Sequence, residues 1–197
     1  MNQSLNPWII TPDTGAEPHN TAADLQLPPA PTLNAPVLGM VEPDAADRLG
    51  CRTVAGTATL WVTGAHGGAG ESRLAGILEG ARATDHAWPV PDDAFGKPSV
   101  LLVCRSDLRG LKAARGALIQ WASGAGPAVD LLGLAVLADA PGRLPKPLRD
   151  FAALIGGGAP RLWILPWVES WRLGDATAGP PGRDYQRFAT DIAALTT

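Results

Sequence analysis

The chain of 197 residues contains only two cysteines, Cys51 and Cys104, and neither sits in a C-x-x-C pair or near a histidine at metal-binding spacing. A disulfide framework and a zinc site are both disfavoured by that count. The three histidines, His19, His66 and His86, are too scattered to suggest a metal set. Lysine is scarce, and 16 basic residues against 19 acidic ones give a net charge of −3. The basic surplus that drives duplex nucleic-acid binding is therefore missing. No apolar run approaches the roughly 18 residues of a membrane span. The segment MNQSLNPWII lacks the basic and continuous apolar regions of a secretory signal. A nucleophile is equally hard to find, because no G-x-S-x-G elbow occurs and Ser72 has no suitably placed histidine. The absences together predict a cytoplasmic protein with no metal site and no nominated catalytic residue.

Glycine and proline, by contrast, are abundant, at 23 and 19 residues, so loops are numerous and elements short. Residues 1–50 hold eight of the prolines and carry six acids against Arg48 alone. Such a segment buries little apolar surface, and residues 1–56 read as a disordered or loosely docked tail. From 57 onward apolar runs alternate with helical periods. Strands are predicted at 57–64 (TATLWVTG), 99–104 (SVLLVC), 130–138 (DLLGLAVLA) and 161–165 (RLWIL). Helices are predicted at 71–82, 107–122 with Asp107 as N-cap, 148–155 and 185–195. Continuous apolar strands separated by helices imply a three-layer α/β domain over 57–197, with a mainly parallel sheet of four to five strands. Ligands of such sheets bind beyond the carboxyl ends of the strands, so the loops after each strand hold the candidate site.

The loop after the first of these strands reads His66-Gly67-Gly68-Ala69-Gly70-Glu71-Ser72-Arg73. Glycines between a strand and a helix let backbone N–H groups converge on an anion, and a glycine-rich turn that binds nothing is the alternative. The string HGGAGESRLA resembles the deviant phosphate loop, K-G-G-x-G-K-[ST]-T-L-A, of the ParA/MinD-type partition and positioning ATPases. It matches at Gly67, Gly68, Gly70, Ser72, Leu74 and Ala75 and departs at both lysines, where His66 and Glu71 stand. The phrases GAHGGAGES, ADAPGRLP and LPWVESWRLG also resemble an uncharacterised family of small proteins from high-GC Gram-positive bacteria, over about residues 58–175. The ATPase resemblance implies a P-loop NTPase-like fold with ATP and Mg²⁺ as possible ligands. It places Asp139 and Pro141 where that family recognises a base and Pro166 where its backbone touches adenine.

Glutamate in place of the phosphate lysine changes the sign of an interaction worth about 4 kcal/mol at 4 Å and an effective dielectric near 20. Arg73, His66, Arg105 and Arg109 are the cations that can compensate. Trp167 and Trp171, with Arg172, read either as core packing or as an aromatic surface for a partner. Two functions follow as expectations. One is a degenerate, non-hydrolysing accessory or scaffold that binds a protein partner, with or without a nucleotide. The other is an unorthodox partition-type ATPase in which an arginine replaces the lysine.

Overall fold

The computed structural model describes residues 33–37, 39–92, 96–174 and 181–196. The expectation of a disordered tail falls largely on 1–32, outside the described residues. Among the described residues there are seven strands: β1 (Gly50–Val54), β2 (Leu60–Gly64), β3 (Ala81–Ala83), β4 (Ala87–Pro91), β5 (Ser99–Arg105), β6 (Asp130–Leu137) and β7 (Leu162–Leu165). Five helices accompany them: α1 (Glu71–Ala75), α2 (Leu108–Ala122), α3 (Lys146–Gly156), α4 (Glu169–Arg172) and α5 (Arg183–Ala193). The main sheet has the order β3-β2-β5-β6-β7, and every pairing within it is parallel. The expected α/β class and mainly parallel sheet of four to five strands are thus present, with five strands in the main sheet.

The apolar runs explain the layering. Along β5, Val100, Leu102 and Cys104 enter one core with α2 and α3, while Leu101 and Val103 enter a second core with α1 and α5. A strand of period 2 whose two faces are both covered must be apolar throughout. In β6 a register shift opposite Val100 and Leu101 inserts one residue. Leu131 and Leu134 therefore share one core although their spacing alone would put them on opposite faces. The second core is closed by Tyr185, Phe188 and Ile192 of α5, each almost fully buried.

Three elements depart from the sequence reading. The expected helix at 71–82 ends at Ala75, because Gly76 caps it and Gly80 turns left-handed at φ +69°. The chain then forms the three-residue β3, too short to leave a hydropathy signature. The β4 segment carries Pro89 and Pro91, which ordinarily argue against a strand, yet it pairs in parallel with β1 alone. A two-stranded ribbon has free edges where a missing N–H costs nothing. The third departure is the domain boundary. A 3-10 turn at Ala45–Asp47 and β1 both lie inside the stretch read as tail. Four of the five β1 residues are exposed, so burial gave no pattern to read. Gln120, buried in α2, ties this region down: its side chain accepts from the Leu49 N–H and from Trp88 Nε1 and donates to the Leu49 carbonyl.

The thiols follow from this packing. Cys51 is exposed on β1, whereas Cys104 is buried in β5, where desolvation and then the Asp107 charge push its pKa up to about 12. A thiolate is the reactive form. Titration with a thiol reagent is expected to give one fast equivalent from the native protein, abolished by Cys51→Ser. The second equivalent should appear only in denaturant, and two fast equivalents would contradict the burial of Cys104.

Candidate functional site

The strand order makes β2 and β5 a switch point. From β2 the chain leaves through α1 toward β3 on one side, and β5 lies on the other. The loops that follow the two strands diverge there and leave a crevice at their carboxyl ends. A cavity of about 370 Å³ occupies this crevice and extends over the ends of β6 and β7.

Its first wall is the glycine loop. His66 through Ala69 form a tight turn closed by the Ala69 N–H donating to the His66 carbonyl at 3.2 Å, with Gly68 at φ +81° in the third position. Gly67 and Gly68 line the cavity, and among the described residues their N–H groups have no protein acceptor. The imidazole of His66 faces α2. Its Nε2 accepts the Arg105 N–H at 3.2 Å, which leaves the proton on Nδ1, 2.9 Å from the Gly67 carbonyl. A histidine so tied stands at the position of the first lysine in the K-G-G-x-G-K pattern.

Arg105, the last residue of β5, spans the crevice. Its Nε donates to the Gly68 carbonyl and its Nη1 to the Ala138 carbonyl, both at 3.2 Å. Behind it, Asp107 caps α2 by accepting the Gly110 N–H at 2.6 Å, and the buried Ser106 hydroxyl accepts the Asp139 N–H at 3.0 Å. Arg109 stands exposed in the first turn of α2 and also lines the cavity.

The opposite wall is aromatic. Trp171 meets Tyr185 edge-to-face at 5.0 Å, and the Tyr185 hydroxyl donates to the Pro166 carbonyl at 2.9 Å. Burial raises the pKa of that hydroxyl above its usual value, while the Arg105 charge acts in the opposite direction. The Arg172 guanidinium lies over the Trp167 ring at 5.8 Å, and Trp167 Nε1 donates to Glu169. Arg73 reaches from α1 toward the Trp171 carbonyl, at 3.5 Å, and so closes the side between α1 and α4.

The structure therefore brings together His66, Gly67, Gly68, Arg73, Asp139, Pro166, Trp167, Trp171 and Arg172 among the residues nominated from sequence. Ala69, Gly70, Glu71, Ser72 and Pro141 do not line the cavity. Gly70 supports it from behind, since a Cβ there would sit 2.7 Å from Leu137 Cδ2. Glu71 turns the other way. Its Oε2 accepts the Gly64 N–H at 2.6 Å and the His86 N–H at 3.0 Å, on the side of β3 and β4. Residue type and spacing mark Tyr185 and Asp107 only as the start of a helix and a cap; their place in the cavity wall depends on which loops the sheet order brings together. A broader groove of about 1430 Å³ lies along α2 and residues 40–49, away from the strand ends.

The model of a family of unknown function, DUF6668, matches residues 58–186. The chain belongs to this family. The match runs from just before β2 into α5, so every residue that lines the crevice lies within the family's own span. No curated protein and no solved structure matches the chain.

ATP with Mg²⁺, the ligands implied by the resemblance to partition ATPases, can be tested against the residues present. In that loop type the residue after the phosphate lysine holds the metal through its hydroxyl. Here Ser72 is exposed and outside the cavity, and Glu71 is engaged with two backbone N–H groups. Among the described residues no three His, Cys, Asp or Glu side chains converge. The residues do not fit a magnesium site of that kind. The arginines do fit an anion.

Proposed function

We propose that this chain is a degenerate P-loop-like protein that holds a nucleotide without hydrolysing it and serves as an accessory or scaffold for a protein partner. One observation carries the reading. Arginines from four separate elements, Arg73, Arg105, Arg109 and Arg172, meet a tryptophan wall in one crevice at the switch point of a parallel sheet. Guanidinium groups recognise phosphate oxygens through paired N–H donors, and an indole face accepts a base. The glycine loop with two N–H groups lacking protein acceptors adds donors at the same end. A partner is supported by Leu173, 72 % exposed and next in sequence to the cavity residue Arg172.

The test is a thermal shift with AMP, ADP, ATP and GTP, run beside a phosphate-release assay. A ligand present at a hundred times its Kd stabilises by about 2.7 kcal/mol. In a chain of this size that corresponds to a rise of about 5–10 °C. The expected result is such a rise with at least one nucleotide and no phosphate released from ATP or GTP. Sustained release that requires Mg²⁺ would favour the partition-type ATPase instead. The absence of a shift with every nucleotide would remove the reading.

A further inference from the structure

We infer that the ligand of this crevice is a nucleoside mono- or diphosphate taken up as the free anion, with arginine charge in the place of a metal ion. The inference rests on the nucleotide reading above and deepens it. Four arginines stand against two acids, Asp107 and Asp139, among the residues that line the cavity, an excess of two positive charges. That charge balances a phosphate dianion or a diphosphate better than the larger charge of a free triphosphate. Of the two acids, Asp107 is engaged as the cap of α2, its Oδ1 accepting the Gly110 N–H at 2.6 Å.

Position agrees with charge. Arg105 and Arg109 follow the end of β5, beside Gly67 and Gly68, while Trp167 and Trp171 stand beyond the end of β7, with Arg73 reaching the Trp171 carbonyl between them. The end of β5 lies two inter-strand spacings from that of β7, about 10 Å. This is about the reach of a purine nucleoside with one or two phosphates laid across the sheet. A Mg²⁺ ion carried on the phosphates would sit among the arginines and be repelled by them. It would also mask the oxygens that the guanidinium forks recognise.

The experiment is isothermal titration of the full chain with AMP, ADP and ATP, first in EDTA and then with excess Mg²⁺. ADP is expected to bind in EDTA, and Mg²⁺ should weaken that binding about threefold or more. Arg109→Gln, at an exposed position, should leave the circular dichroism spectrum and Tm unchanged and lower ADP affinity about tenfold. Arg105→Lys keeps the charge but gives up the guanidinium contacts to the Gly68 and Ala138 carbonyls that place it across the crevice, and should lower affinity comparably. Binding that appears only with Mg²⁺ would overturn the inference and leave the nucleotide reading standing. Affinity unchanged in both variants would also overturn it. No binding under either condition would defeat the nucleotide reading itself.

Discussion

Gly110→Ala is expected to lower the melting temperature by about 4–10 °C and to abolish ligand binding in the crevice. Alanine is ordinarily the better helix residue by about 1 kcal/mol, so at an open position in α2 the same change would stabilise. Here the added Cβ would lie 2.4 Å from the Arg105 carbonyl oxygen, 2.8 Å from Asp107 Oδ1 and 2.9 Å from His66 Nε2. The first neighbour is backbone and cannot swing aside. Relief requires α2 to back away from the end of β5, and three contacts fail together when it does. The Asp107 cap on the Gly110 N–H lengthens, His66 loses its place against the Arg105 N–H, and Arg105 loses its purchase on the Gly68 carbonyl. Gly67→Ala supplies the control. Nothing lies within 4 Å of a Cβ built there and its φ is not left-handed, so its Tm should stay within about 1 °C of the parent. Differential scanning calorimetry on the two variants checks both expectations. Equal melting temperatures would show that α2 is not locked against the glycine loop as described.

Gly110 also illustrates what the sequence could and could not disclose. Asp107 as N-cap and the apolar face of α2 are local features, readable from residue type and spacing. The close approach of His66 to Gly110 joins residues 44 positions apart, and no local period encodes it. The same division runs through the fold. β5 and β6 announce themselves because burial on both faces demands unbroken apolar runs. β1 and β4 do not, because β1 is exposed at four of its five residues, and β4, although Trp88 and Pro89 are buried, has its pattern interrupted by two prolines. In the site, the glycine loop was legible from its composition, and Arg105 and Arg109 were legible as cations near a strand end. Which of the loop residues face the crevice was not. The α1 helix is five residues long instead of twelve, and its first side chain turns toward β3 and β4 rather than toward the ligand side. The side chain that follows the glycine loop is thus turned to another task.

That task makes Glu71 the second site of large effect. Its carboxylate, with a side chain only 12 % exposed, accepts the N–H of Gly64 at the end of β2 and the N–H of His86 in the loop between β3 and β4. Asp85 and His86 both hold left-handed backbone, at φ +53° and +47°, without being glycine. Such a pair persists only where the surroundings fix it. Asp85 is held by Arg52 of β1, and His86 by Glu71. Glu71→Ala leaves the buried Gly64 N–H without an acceptor, at a cost of about 1.5–3 kcal/mol for a charged hydrogen bond. It also frees residues 84–87 to relax, so Tm should fall by about 4–10 °C, with faster amide exchange in that loop. Glu71→Gln keeps one acceptor oxygen and should lose about half as much. Glu71→Lys keeps none and brings an ammonium against two N–H groups, so it should be the least stable of the three. ADP affinity, measured below each variant's melting range, should stay within about twofold of the parent for Gln and Ala, because this side chain does not face the crevice. The opposite pattern is equally definite. If Glu71 acts by repelling phosphate, affinity must climb from the parent through Gln to Lys while stability barely moves. Calorimetry and titration on the same three proteins separate a backbone clamp from a charge barrier, since the clamp appears in Tm and the barrier in Kd.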